Sequence, residues 1–156
     1  MRLALYQPDI PQNTGTILRL AACLGVPVDV IGPTGFDMSD RALKRAGLDY
    51  LEHVSLSRHM SYVAFDELRK SKAPVPRLLL LTSHGDTSLY EFAFAPFDIV
   101  MLGRESAGVP DPVHAAANAR LRIPMRPGLR SLNIAVAAGM VLGEALRQTG
   151  GYDPLL

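Results

Sequence analysis

The alternation of short apolar runs with segments of helical spacing constrains the fold of this chain more than any other feature. The runs are mostly apolar on both faces, which is typical of parallel strands covered by helices. This order predicts an α/β fold with a mostly parallel sheet and helices on both faces. The predicted strands are Arg2–Tyr6, Val28–Ile31, Tyr50–Val54, Arg77–Thr82, Asp98–Leu102 and Arg120–Ile123. The predicted helices cover about residues 14–24, 39–46, 58–70, 112–117 and 132–148.

The length of 156 residues predicts one domain that spans residues 1–156. Apolar residues make up 48% of the chain and charged residues 20%, which are ordinary values for a soluble protein. No signal peptide precedes the first predicted strand, and no apolar stretch reaches the roughly 20 residues of a membrane span. We therefore expect a cytoplasmic protein without a membrane partner. The single cysteine, Cys23, excludes an internal disulfide, and its apolar neighbours predict that it is buried.

The last predicted helix is apolar almost all round between Leu132 and Gly143. Such a helix must be buried on several sides, which in a small domain suggests a subunit interface. Gly139 and Gly143, four residues apart, would let another backbone approach closely. The alternative is a central helix buried within its own chain.

Ligands of open α/β sheets bind beyond the carboxyl ends of the strands. Five loops in such positions are rich in glycine or proline, at residues 7–15, 32–35, 82–87, 103–110 and 124–131. The dinucleotide and P-loop glycine motifs are absent, as are the metal-ligand spacing of His and Cys and the serine hydrolase motif. What remains is a site of backbone amides, arginines and one carboxylate. It suits a cofactor with polar and apolar parts and an anionic partner such as an RNA backbone.

The net charge of +1 does not demand a nucleic-acid partner, so basic residues that bind RNA must be concentrated locally. Arg126 and Arg130 flank a glycine just before a helix N-terminus, where anions bind readily. Each basic group is either an RNA contact or a solvated surface. Two further groups are the helical face of Arg41, Lys44 and Arg45, and the stretch of Arg69, Lys70, Lys72 and Arg77.

Three segments of the chain resemble the three motifs of the SPOUT methyltransferases, in the SpoU-related branch. They are Asn13–Arg19, Leu102–Pro110 and Ile123–Ala135. Gly35-Phe36 followed by Lys44–Tyr50 is similar to the subgroup that methylates the wobble nucleotide of tRNA. The resemblance extends from Leu5 to about Gly151, and we expect no additional RNA-binding domain, as in that subgroup.

The resemblance implies a deep C-terminal trefoil knot, which sequence rules alone would not suggest. It also implies a homodimer and a bent S-adenosylmethionine beside the subunit interface. The product is S-adenosylhomocysteine, the RNA partner is tRNA, and neither a metal ion, DNA nor a membrane takes part. By position, the implied cofactor contacts are Leu81, Thr82, Gly103, Ile123, Met125, Ser131 and Leu132.

The implied reaction moves the methyl group directly from the sulfonium to a ribose 2′-oxygen, so alignment of the reactants is the main task. The resemblance makes Arg19 the key catalytic residue. A guanidinium stays protonated, so we expect Arg19 to orient the hydroxyl or bind a phosphate, and a phosphate oxygen is a hypothetical proton acceptor. Asn13, Glu105 and Asn133 match polar catalytic positions of the family.

Structural roles are the alternatives for several of these residues. Asn13 or Thr14 could cap the first helix, Ser131 is a natural N-cap for the last one, and Glu105 could be a surface charge. Asn133 is predicted to be a buried amide within an apolar helix, which would require hydrogen-bond partners.

Three departures from the family pattern weaken the exact substrate assignment. Arg104 stands where uncharged residues are common and could add an RNA or interface contact. His84 stands where lysine is common, and Ile134-Ala135 where Leu-Ser is frequent. The leading hypothesis is 2′-O-methylation of C34 or U34 in tRNA. The alternatives are another tRNA position or ribosomal RNA, a non-catalytic RNA-binding knotted dimer, and a phosphate-binding enzyme of small molecules.

Overall fold

The computed structural model describes residues 1–45, 51–129 and 131–155. In these ranges seven strands form one sheet in the order β3-β2-β1-β6-β4-β7-β5, and every neighbouring pair is parallel. The strands are β1 Arg2–Tyr6, β2 Val28–Ile31, β3 Leu56–His59, β4 Leu78–Leu81, β5 Thr87–Ser88, β6 Ile99–Leu102 and β7 Ala119–Arg122. The α-helices are α1 Pro11–Cys23, α2 Asp40–Arg45, α3 Tyr62–Lys70, α4 Asp111–Ala116 and α5 Ile134–Thr149. Short 3-10 helices cover Leu51–His53, Leu89–Glu91 and Asp153–Leu155.

Two apolar cores lie on opposite faces of the sheet, because alternate residues of a strand point to opposite sides. Leu3 and Leu5 of β1 belong to the core that α1 and α5 cover. Ala4 and Tyr6 belong to the core that includes Phe65 of α3 and Val113 of α4. The predicted α/β class, with a parallel sheet between helices, is therefore confirmed. The trefoil knot stays a prediction.

The edge of the sheet beside β2 differs from the sequence prediction. The strand expected at Tyr50–Val54 is wrong, because Leu51–His53 forms a 3-10 helix and the strand follows at Leu56–His59. This strand reads Leu-Ser-Arg-His and, among the described strands, pairs with β2 alone, so it lacks the apolar pattern of a central strand. The two-residue β5, Thr87–Ser88, is too short to leave a pattern in the sequence.

The helix starts also correct several predictions. Helix α1 begins at Pro11, whose fixed φ suits the first helical position, and its N-cap Ile10 makes no side-chain capping bond. Capping of this helix by Asn13 or Thr14 is therefore wrong. The N-cap of α5 is Asn133, so the prediction of Ser131 in that role is wrong as well.

Two further features concern the helices as a group. Cys23, the last residue of α1, is exposed in the chain, which contradicts the prediction that it is buried. Within the described ranges, none of the helices combines the length and the apolarity that crossing a bilayer would require.

Candidate functional site

A deep cleft lies at the carboxyl ends of three neighbouring strands, β6, β4 and β7. The loops that follow these strands converge there with the segment before α5. The cleft has a volume of about 820 Å³, within the range of roughly 300–1,000 Å³ that is typical of small-molecule sites. The topology therefore places a ligand-sized cleft where the sequence pattern predicted one.

The residues predicted to contact the cofactor all line this cleft. Its floor is apolar and includes two buried leucines, Leu80 next to the last residue of β4 and Leu102 at the end of β6. Polar groups and strand-end loops surround that floor, as a ligand with an apolar ring system and polar ends would require. The predicted contacts on the cleft wall are Leu81, Thr82, Gly103, Ile123, Met125, Ser131 and Leu132.

A tight loop after β6 fixes one wall of the cleft. The amide of Arg104 donates to the carbonyl of Gly108 over 2.9 Å, and the amide of Gly108 donates back to the Arg104 carbonyl over 2.8 Å. A Cβ atom at Gly103 would lie only 2.8 Å from the carbonyl carbon of Gly108. Gly108 itself has φ +63°, which favours glycine. Both glycines are thus needed for the loop to close.

A chain of hydrogen bonds links the three predicted polar catalytic residues. The side-chain Nδ2 of Asn133 donates to Oδ1 of Asn13 over 3.0 Å, and Nδ2 of Asn13 donates to Glu105 Oε2. Asn13 lies in the first turn of α1, whereas Glu105 belongs to the loop after β6. The structure therefore brings Asn13, Glu105 and Asn133 together at the cleft, and Glu105 is not an isolated surface charge.

Asn133 caps helix α5 and also belongs to the chain of hydrogen bonds at the cleft. It is exposed rather than buried in an apolar helix, which corrects the sequence prediction. Its Oδ1 accepts hydrogen bonds from the amides of Ala135 and Val136, at 2.9 and 3.3 Å, and so caps α5. The same side chain uses its Nδ2 to hold Asn13.

The sequence prediction missed Asp9, which ties two loops of the site together. Its carboxylate accepts from the amides of Glu105 and Ser106 at 3.2 and 3.3 Å, and from the Ser106 hydroxyl. Partial burial acts to raise the pKa of Asp9, but these hydrogen bonds outweigh it and the pKa lies below its ordinary value. Asp9 lies in the loop after β1, among the loops where the sequence predicted a ligand, but nothing in the sequence indicated these contacts.

The electrostatic environment of Glu105 is the opposite of that of Asp9. Desolvation of its carboxyl raises the pKa of Glu105, the hydrogen bond from Asn13 acts to lower it, and the charge of Asp9 raises it further. The net pKa lies above its ordinary value. The protonated form of Glu105 is thus favoured relative to a carboxyl group in water.

The predicted catalytic Arg19 lies apart from this cleft. It is exposed on α1 and is not among the residues that line the cleft of a single chain. The exposed positions Gln12, Thr16, Arg19 and Cys23 follow one another at helical spacing along α1. Arg19 therefore belongs to an outer stripe of this helix.

The predicted RNA-binding residues are distributed over several elements. Arg126, in the segment after β7, and Arg41, on α2, are exposed. Arg130 and the side chains of Lys44 and Arg45 lie outside the described residues. The longer basic stretch is not one RNA surface, because two of its arginines pair within the fold. Arg69 is buried against Asp66, and Arg77 pairs with Asp98, each at 2.7 Å.

One wall of the cleft carries polar residues to which the sequence reasoning assigned no site. Ser83 and His84 follow β4, whereas Asp111 and His114 belong to α4. Arg104 completes this wall between Gly103 and Glu105. Within the described residues, His, Cys, Asp and Glu side chains form no group of three placed to hold a metal ion.

The family profile described as SpoU rRNA Methylase matches residues 1–143. The chain belongs to this family. Among curated relatives, it is 59% identical to the tRNA (cytidine(34)-2′-O)-methyltransferase of Beijerinckia indica, over 99% of this chain and 95% of that protein. It is 40% identical to the enzyme of the same name from Escherichia coli K12, over 96% and 94% of the two chains.

Solved structures show the same fold at high similarity. A structure described as giving insights into the 2-OH methylation of C/U34 on tRNA superposes with a TM-score of 0.85 and is 46% identical, with 94% of each chain covered. The SpoU methyltransferase AviRb from Streptomyces viridochromogenes, in complex with the cofactor AdoMet, has a TM-score of 0.82 and 28% identity. That match covers 95% of this chain and 60% of AviRb.

Proposed function

We propose that this chain is an S-adenosylmethionine-dependent methyltransferase that methylates the ribose 2′-oxygen of the wobble nucleotide, C34 or U34, of tRNA. The observation that carries the proposal is the cleft, where the seven predicted cofactor residues meet the Asn13–Glu105–Asn133 network. Relatives that match nearly the whole chain are named tRNA (cytidine(34)-2′-O)-methyltransferases, and the description of a similar solved structure names C/U34. A cytoplasmic location is part of the proposal, because tRNA is its substrate.

The cleft fits the cofactor in chemistry as well as in size. The apolar floor of Leu80 and Leu102 would receive the adenine ring, and the backbone around Gly103 and Ile123 would hold its polar edges. When bound, S-adenosylmethionine supplies a methyl group on a positively charged sulfur, which is already reactive. The protein then has to hold the two substrates in line and exclude water.

The polar network at the rim of the cleft would position the ribose. Asn133 is fixed by its bonds to the start of α5, and Asn13 is fixed between Asn133 and Glu105. Amide and carboxyl groups held in this way can bind a 2′-hydroxyl at one angle without reorganisation. Arg19 would orient that hydroxyl or bind a neighbouring phosphate as a permanent cation.

We also propose a homodimer, with a second copy of the chain against α1 and α5. Val136 of α5 and Leu129 and Leu132 before it are 54%, 68% and 38% exposed, a group of apolar side chains beside the cleft. Helices α1 and α5 pack against each other and their first turns are joined by the Asn133–Asn13 hydrogen bond, so we place the interface across both helices, including the outer stripe of α1 that carries Arg19. A dimer across these helices would bring Arg19 to the cleft of the partner subunit.

Methyl transfer to tRNA tests the activity. Purified protein, labelled S-adenosylmethionine and total tRNA from a strain that lacks the corresponding gene should give methylated tRNA, with the label on the ribose of nucleotide 34. Label at another tRNA position or in ribosomal RNA would change the assigned substrate. Cofactor binding without transfer to any RNA would contradict the enzyme itself.

The dimer has its own test in solution. At micromolar concentration the chain should sediment as a dimer, and Val136→Arg should convert it to a monomer, since a charge cannot be buried unpaired at an interface. Val63→Arg is the matched control, because Val63 is 63% exposed on α3, on the other face of the sheet. A wild-type monomer would contradict the dimer.

Mixed dimers test whether the subunits share a site. Arg19→Ala and Gly103→Ala should each be inactive alone, the first without the catalytic arginine and the second with a distorted cofactor loop. Co-expression should restore activity, because one cleft of the mixed dimer has an intact loop and an intact Arg19 from the partner. Persistent inactivity would place Arg19 in its own subunit's site.

A further inference from the structure

Arg104 carries a buried side-chain donor that the described part of the chain does not satisfy. It lines the cleft between the loop glycine Gly103 and the network residue Glu105. Its Nε atom is buried and makes no hydrogen bond with any part of the chain that the structure describes. The buried Arg69 is a contrast, because its guanidinium donates to Asp66 and to the carbonyl of Pro76.

The unsatisfied Nε of Arg104 does not result from a poorly held backbone. Its backbone is held by the two hydrogen bonds with Gly108, which fix the position from which the side chain leaves. A buried donor without a partner costs free energy, and such groups are rare in folded proteins. The nearby carboxylates do not satisfy it, since Glu105 accepts from Asn13 and Asp9 holds the amides of the loop. The fold thus holds one buried guanidinium nitrogen, without an acceptor among the described residues, at a ligand-sized cleft.

We propose that Arg104 is a substrate-binding residue that receives an anionic oxygen group, and this inference rests on the proposed function. A guanidinium can donate from Nε and one terminal nitrogen to two oxygens at once, which suits a carboxylate or a phosphate. The two sources in this reaction are the carboxylate of the cofactor's methionine part and a backbone phosphate next to the target ribose. In either case the ligand supplies the acceptor that the free protein lacks.

Two binding measurements on Arg104→Gln distinguish the sources. The first is calorimetric titration with S-adenosylhomocysteine, which retains the carboxylate, and the second is fluorescence anisotropy with a labelled tRNA anticodon stem-loop at two salt concentrations. We expect a loss of about tenfold or more in one of them, the effect of one charge-assisted hydrogen bond. Loss in the first assigns the carboxylate. Loss in the second, with a weaker salt dependence, assigns the phosphate. Unchanged binding in both would overturn the proposal.

Lys72→Gln is the matched control, because Lys72 is exposed outside the cleft and its removal lowers the charge by the same amount. It should change neither cofactor affinity nor the affinity for RNA by more than about twofold. An equal loss in both variants would reduce the role of Arg104 to its charge alone and would contradict the proposal.

Two further readouts separate binding from folding. Arg104→Gln should melt at the same temperature as the wild type or above it, because no internal bond is lost, and a clear decrease would make Arg104 structural. Arg104→Lys should recover only part of the lost affinity, and full recovery would contradict the use of Nε. If wild-type protein transfers no methyl group while Arg104→Gln still weakens binding, the proposed function fails and the anion site stands.

Discussion

This protein has two polar networks of similar residue types, one beneath α3 and one at the cleft. They differ in whether their polar groups find partners within the fold. In the first, Asp29 of β2 is 4% exposed and accepts from Arg2 Nε and Nη2 at 2.7 and 3.1 Å. A ring nitrogen of His59, Nε2, lies 2.8 Å from Asp29 Oδ1, the oxygen that also accepts from Arg2 Nη2. The residues come from three adjacent strands, and their partners are other residues of the fold.

The cleft network is built on loops and helix ends, and beside it the buried Nε of Arg104 has no hydrogen-bond partner among the described residues. A network that satisfies itself contributes to the stability of the sheet, whereas one that is incomplete is arranged for a ligand. Polar residues alone therefore do not identify the functional site in this fold. What marks the site is a rigid backbone that presents unsatisfied groups at the carboxyl ends of strands.

Removal of Asp29 should have the largest effect on stability. Asp29→Ala leaves Arg2 and His59 without their shared acceptor, and we expect the free energy of unfolding to fall by about 3–5 kcal/mol. Denaturant unfolding followed by circular dichroism measures this. Asp40→Ala is the control, since its pair with Arg58 is largely exposed and should contribute less than about 1 kcal/mol. Turnover per folded molecule should stay unchanged. If Asp29→Ala weakened cofactor binding and left the free energy of unfolding unchanged, the distinction between the two networks would be wrong.

Arg19→Ala should have the opposite effects, a large loss of turnover without a loss of stability. We expect turnover to fall about 100- to 1,000-fold, the usual effect of removing one group that acts on the transition state. Affinity for S-adenosylhomocysteine and the free energy of unfolding should be unchanged, because Arg19 is exposed and lies outside the cleft of its own chain. Single-turnover kinetics and calorimetry measure the two quantities. Equal losses of turnover and affinity would make Arg19 a structural residue.

Asn133 allows the structural and functional parts of the cleft network to be separated. Asn133→Ala should lose the cap of α5, about 1 kcal/mol of stability, together with the bond to Asn13. Asn133→Asp keeps an oxygen for the cap but loses the Nδ2 donor. We therefore expect it to retain the melting temperature of the wild type and to lose about tenfold in turnover. If Asn133→Asp is fully active, the hydrogen bond to Asn13 has no part in the reaction.

The smallest effects are pH-dependent ones at the two cleft carboxyls. The lowered pKa of Asp9 means that its contribution to stability is present above the unfolded pKa, about 3.9, and is lost as pH falls through the folded pKa. The raised pKa of Glu105 means the opposite, a contribution that is lost as pH rises through the folded pKa. The free energies of unfolding of Asp9→Asn and the wild type should differ by less than about 1 kcal/mol, and this difference should become smaller at acidic pH. A difference independent of pH would contradict the ionised role of Asp9.

Local sequence patterns predicted the central strands and the wall of the cleft. The other features depend on contacts between residues that are far apart in the sequence. The central strands were predictable because they are apolar on both faces, and the wall of the cleft followed from the family motifs at their ends. The polar edge strand Leu56–His59 has no such pattern. Asn133 was misplaced because its apolar neighbours obscured a helix start. The contacts of Asp9 with residues more than 90 positions away and the unsatisfied Nε of Arg104 have no sequence signal.

The most direct test of the central claim uses two anticodon stem-loop RNAs that differ in one oxygen. One carries a ribose at nucleotide 34, and the other carries a 2′-deoxyribose at the same place. The account predicts transfer of one methyl group from labelled S-adenosylmethionine to the first RNA, at nucleotide 34 by mass spectrometry, and none to the second. Equal transfer to both RNAs would contradict methylation of the wobble 2′-oxygen.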